Sequence, residues 1–90
     1  MSYTAWKRRI AVGTTLLCVE HTKRPELINE SRRVTEKKSQ WLVCECRHHP
    51  RSWTSLVPAS RVTMLDEDTA RLGLDPKDPG LYVSLRIVKE

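Results

Sequence analysis

Between positions 81 and 87 the chain repeats every second residue, with Leu81, Val83, Leu85 and Ile87 alternating with Tyr82, Ser84 and Arg86. A period of two fits a strand with one buried and one wet face, and does not fit the 3.6-residue period of a helix. Comparable short segments recur upstream. Positions 14–21 run continuously apolar or β-branched, as in a strand buried on much of both faces. Positions 41–47 place Leu42, Cys44 and Cys46 on one side and Trp41, Val43, Glu45 and Arg47 on the other, and the first set is expected to face inward. Turn signals separate these segments at Ser39-Gln40, at 48–51, at Pro58-Ala59-Ser60 and at 75–80. Short strands between turns, with no long helical period and no repeat of fixed length, predict an all-β domain, a small barrel of five or six strands.

The remaining segments complete that outline. Positions 31–38 are charged and alternate poorly, which suits an edge strand that must resist pairing with other chains. Positions 52–57 and 61–65 read as strands on either side of the Pro58 turn. Residues 21–30 form a long loop in which Pro25 restricts Arg24, Asn29 tolerates a turn, and Leu27 and Ile28 anchor the chain. Asp66 as a helix cap, further acids behind it and Gly73 as a stop predict a short helical turn over 66–72. Residues 1–12 mix Tyr3, Trp6 and Ile10 with Lys7-Arg8-Arg9 without a clear period, and are expected as an N-terminal arm before a single domain over 13–90. A chain of 90 residues buries about 60–65% of its unfolded surface, so the core is small. There is no Phe; three Trp and two Tyr supply the large packing pieces.

Charge is unevenly distributed. Residues 1–64 carry twelve Lys or Arg against five Asp or Glu, and residues 65–90 carry four against six, giving the formal net charge of +5. A basic body points to a polyanionic partner, unless the acidic segment shields the chain's own basic face. No run is long enough to span a membrane and the first residues lack the apolar stretch of a secretory signal, so the expected location is the cytoplasm. Three cysteines are an odd number, expected as free thiols in a reducing compartment.

Trp41 ahead of a hairpin, followed by Leu56-Val57-Pro58-Ala59-Ser60-Arg61-Val62, resembles the last half of a Src-homology-3-type barrel. The resemblance covers roughly residues 13–65 and implies that fold, with the 21–29 loop standing for the family's first long loop. Its peptide-binding members carry a Tyr where this chain has Arg61, acidic residues where it has Lys23 and Arg24, and an Ala-Leu-Tyr-Asp-Tyr segment that is missing here. A proline-rich ligand is therefore not implied. A Pro-Glu-Leu loop, a central Arg-x-Val and a Ser-Trp then Pro-Ala-Ser segment are also similar to small accessory proteins of actinobacterial tailed phages, whose roles are mostly unassigned; the resemblance implies a phage-encoded module, for which a host protein is the expected target.

Catalytic motifs do not accompany these features. Cys44, Cys46, His48 and His49, with Cys18 and His21 elsewhere, are enough soft ligands for zinc, but Cys-x-Cys on a straight strand lacks the turn of a zinc knuckle. A structural zinc site is thus a remote alternative, and the expected reading is core thiols with no metal and no cofactor. Cys18 and His21, as a thiol and base, are three residues apart on one strand and are expected on opposite faces. The chain accordingly reads as a non-enzymatic interaction module that binds an acidic protein surface through Lys23, Arg24, Arg32, Arg33, Trp53 and Arg61. The alternative is DNA or RNA, with cations on phosphates and Tyr3, Trp6 or Trp53 stacked on unpaired bases.

Overall fold

In the computed structural model, which describes residues 2–47 and 49–89, strands dominate as expected. The elements are a helix α1 (Tyr3–Arg9), β1 (Thr15–His21), a 3-10 turn (Pro25–Leu27), β2 (Ser31–Lys37), β3 (Trp41–Cys46) and β4 (His49–Ser55). A second 3-10 turn (Ala59–Arg61) then leads into β5 (Val62–Met64), β6 (Thr69–Asp75) and β7 (Asp78–Ile87). Among the described residues these strands form one seven-stranded sheet in the order β4-β3-β2-β1-β7-β6-β5, antiparallel at every pairing. Two meanders, β1 to β4 and β5 to β7, are joined where β7 pairs with β1.

The expected five- or six-stranded closed barrel is therefore corrected to an open seven-stranded sheet whose edges are β4 and β5. The extra strand is β6, where a helical turn was expected over 66–72. Asp66 does not cap a helix: its Oδ1 accepts the Asp68 amide at 2.8 Å, an Asx turn that reverses the chain into a hairpin. Ala70 and Leu72 then alternate into the core. Gly73 serves close approach rather than a helix stop, since a Cβ there would lie 3.1 Å from the Arg61 carbonyl oxygen.

Positions 31–37 form a strand as expected, but an interior one. β2 pairs with both β1 and β3, and Val34 is fully buried. The exposed edges are protected differently. β5 has only three residues, and β4 carries Pro50, which offers no backbone N–H.

Residues 3–10 also depart from the expected arm. Tyr3, Trp6 and Ile10, spaced at i, i+3 and i+7, all enter the core cluster, with Trp6 wholly buried. Ser2 caps the helix by accepting the Ala5 amide at 3.1 Å. Seven helical residues are too few to be stable alone, so tertiary contacts must hold them. On one side the Trp6 indole N–H donates to the Asp68 carbonyl at 2.8 Å, and Arg9 reaches the Glu67 carbonyl and the Asp68 carboxylate, both at 2.7 Å. On the other, Lys37 Nζ donates to the carbonyls of Lys7 and Ile10 at 2.7 and 2.8 Å, supplying a cation at the negative end of the helix. The helix thus bridges the end of β2 and the β5–β6 turn.

One hydrophobic cluster gathers side chains from α1, β1, β2, β3, β6 and β7. The sheet curls far enough that Thr54 of β4 borders a small recess together with Leu72 of β6 and Val83 of β7. Bulges in β1 and β2 and register shifts between β3 and β4 and between β6 and β7 accompany that curvature. They also decide which side chains face inward. Among the described residues, no helix is long and apolar enough to cross a membrane.

Candidate functional site

The bulge in β1 helps to set up a concavity on the inner face. Its pairing passes from Cys18 opposite Leu85 to Glu20 opposite Ser84 and His21 opposite Val83. Directly opposed residues share a face, and Leu85 and Val83 both belong to the core. His21 is therefore turned to the same side as Cys18, not the opposite side that simple alternation predicts. It lines a pocket of about 500 Å³ where the end of β1, the 3-10 turn, the start of β2, the end of β3 and the start of β4 meet.

Arg32 lines this pocket. It lies opposite Cys46, two residues before the buried Val34, so β2 turns its half-buried side chain inward. Its Nη1 donates to the Thr54 hydroxyl at 3.1 Å. Among the described residues no carboxylate pairs with it. The other cation of the pocket, Arg24, is matched, because its Nε lies 3.2 Å from Glu26 in an exposed ion pair. Leu27 and Trp53 contribute apolar surface, and Glu30 adds a carboxylate to the wall.

Local electrostatics fix the protonation of this region. Burial lowers the His21 pKa below the usual imidazole value, and the Arg32 and Arg24 charges lower it further. Its Nδ1 accepts the Arg24 backbone N–H at 3.1 Å, so the neutral ring carries its proton on Nε2. Burial raises the Cys18 and Cys44 thiols above the ordinary cysteine value, against the smaller pull of Arg32. Cys18 donates to the Glu20 carbonyl at 3.5 Å rather than to His21. Neither thiol is held as a thiolate.

Three of the six predicted contact residues meet here: Arg24, Arg32 and Trp53. Lys23 is exposed on the adjoining loop. Arg33 points to the outer face, 3.7 Å from Glu45. Arg61 stands elsewhere, lining a recess of about 280 Å³ with Arg71 and Tyr82. His21 is a pocket residue that alternation did not select, and the β1 bulge is the reason; Ser52 reaches the pocket by regular pairing opposite Cys44.

The outer face of β3 and β4 adds an aromatic patch. Trp53 is 59% exposed and Trp41 is 38% exposed, with ring centroids 5.9 Å apart, and the Arg51 guanidinium lies 5.2 Å from the Trp53 ring. Val43, opposite Trp53, is buried although it lies outside the core cluster. Part of the N-terminal basic triplet is occupied within the chain. Arg9 pairs with Asp68, and Lys7 lies 4.5 Å from the Tyr3 ring.

All three cysteines are free, and among the described residues no group of three or more His, Cys, Asp or Glu is placed to hold a metal ion. His48, a member of the zinc alternative, lies outside the described residues. In comparisons with protein-family models, with curated proteins and with solved structures, the chain matches none.

Proposed function

We propose that this protein is a non-enzymatic interaction module that binds an acidic protein partner at the pocket between the 22–30 loop and β4. The observation that carries this reading is the convergence of Arg24, Arg32 and Trp53 on one concavity in which Arg32 has no ion-pair partner among the described residues. A half-buried cation beside an exposed ring suits recognition, since aromatic and arginine side chains carry most binding energy at interfaces. Thiols that burial keeps protonated, with Cys18 donating to the Glu20 carbonyl and not to His21, support a role without covalent chemistry. Following the resemblance to phage accessory proteins, the partner we propose is a host protein that the module blocks or redirects.

Affinity capture from a host lysate tests this. A partner retained by the wild-type chain and lost with Arg24→Gln/Arg32→Gln/Trp53→Ala supports the proposal. Retention of nothing above a charge-matched control refutes it.

The Arg51 guanidinium over the exposed Trp53 ring favours a second reading, in which unpaired bases of DNA or RNA stack there. Titration with labelled single strands at two salt concentrations separates the two. Nucleic-acid binding should weaken steeply with salt as phosphates are neutralised, and no binding at low salt excludes it.

A further inference from the structure

We infer that the Arg32 pocket is a subsite for one carboxylate, presented on a glutamate or aspartate side chain of the partner. The inference rests on the partner-binding reading above and specifies what enters the pocket.

Arg32 is the reason. Thr54 holds one guanidinium nitrogen, Nη1, and the remaining donors have no hydrogen bond among the described residues. Those nitrogens are not among the sealed-off polar atoms, of which the described residues contain only Tyr3 Oη and Arg71 Nε. They are therefore accessible to solvent on a side chain that lines the pocket, and a guanidinium with donors available in its plane matches a carboxylate in a two-point contact. His21 lines the same pocket and, with Nδ1 already accepting the Arg24 amide, carries an Nε2–H donor on its other edge. The ring is uncharged, so it supplies a hydrogen bond without demanding a second negative charge.

Charge count selects the ligand class. Arg24 is matched by Glu26, which leaves Arg32 as the guanidinium without an ion-pair partner among the described residues. A phosphate dianion brings more negative charge than the one unpaired guanidinium answers, whereas a carboxylate brings one. The apolar surfaces of Leu27 and Trp53 then have a counterpart in the methylene stem of the acidic side chain. The Ser52 hydroxyl is engaged with the Cys44 carbonyl at 3.3 Å, and recognition is assigned to Arg32 and His21.

The test is an NMR titration of the full chain, following arginine side-chain and His21 ring signals. The probes are N-acetyl-glutamate methylamide, its glutamine counterpart and inorganic phosphate. Saturable shifts with the glutamate compound, with the glutamine compound and the Arg32→Gln variant both weaker by about tenfold or more, support the inference. Equal response to glutamate and glutamine, an unaffected Arg32→Gln variant, or tighter binding of phosphate overturns it. If Arg32→Gln fails to fold, Arg32→Lys decides: it keeps the charge but loses the planar fork, so a several-fold loss supports the inference and unchanged affinity overturns it. Partner capture that survives Arg32→Gln but not Trp53→Ala leaves partner binding standing and removes the carboxylate subsite. Glutamate binding without any captured acidic partner supports the subsite and refutes the partner.

Discussion

Truncation of Trp6 tests most severely whether residues 3–10 belong to the domain. The indole is wholly buried in the core cluster and donates to the Asp68 carbonyl. A tryptophan buries about 150–250 Å², which at about 25 cal/mol per Å² amounts to about 4–6 kcal/mol. Incomplete collapse around the missing ring sets the measured cost of Trp→Ala at about 3–5 kcal/mol. The lost hydrogen bond adds little, because the Asp68 carbonyl still accepts the Ile87 amide at 2.8 Å. A loss of about 4 kcal/mol is a large share of the stability of a domain this size, and corresponds to a fall in melting temperature of roughly 15–30 °C. Trp6→Phe keeps most of the volume and should cost about 1–2 kcal/mol. Thermal unfolding followed by circular dichroism reads both, with exposed Arg8→Ala as the control expected to lie within about 0.5 kcal/mol of wild type. A shift of only a degree or two for Trp6→Ala would mean that the helix is an appendage, and would refute its place in the core.

Three further outcomes follow from the packing. Tyr3 Oη is buried without a hydrogen-bond partner among the described residues, so Tyr3→Phe should stabilise the fold by about 1 kcal/mol in urea unfolding, and a destabilised variant would show a hidden partner. Gly73→Ala places a Cβ 3.1 Å from the Arg61 carbonyl oxygen and 3.3 Å from its Cβ, so the 3-10 turn ahead of β5 must shift at a cost of about 1–3 kcal/mol; a neutral result would contradict that close approach. The Arg9 hydrogen bond, with help from Lys89, lowers the Asp68 pKa. Its folded value lies below its unfolded one, so its stabilisation is present above about pH 4 and fades as pH falls through the folded value. Asp68→Asn should therefore flatten the acid limb of the melting-temperature profile, and an unchanged limb would assign acid sensitivity to other groups.

Much of the sheet was legible in the residues, because strict alternation at 81–87, β-branched continuity at 14–21 and the Pro58 turn are local signals that tertiary packing did not override. The helix was written more faintly: Tyr3, Trp6 and Ile10 do share a helical stripe behind Ser2, but seven residues are barely two turns, too few for a period to stand out. At 66–73 the signals of a helix cap and stop were real chemistry serving another end, an Asx turn at Asp66 and a backbone contact at Gly73. The pocket was least legible. Arg24, Arg32 and Trp53 were chosen for charge and exposure, but a bulge after Cys18 turns His21 inward, and no local pattern announces a bulge. Arg33 and Arg61 share the same chemistry, yet strand direction and position send them to other surfaces.

The central claim is that this pocket, and not the overall positive charge, recognises an acidic partner. It is tested most directly by comparing two double variants that each remove two of the charges behind the +5 net charge. Arg24→Gln/Arg32→Gln lies in the pocket; Arg8→Gln/Lys77→Gln removes two exposed cations outside it. Measured by fluorescence anisotropy with a labelled glutamate-rich peptide at physiological ionic strength, affinity should fall by about tenfold or more for the pocket pair and change by less than about twofold for the other pair. Equal losses in both would contradict the account, because binding would then follow net charge alone.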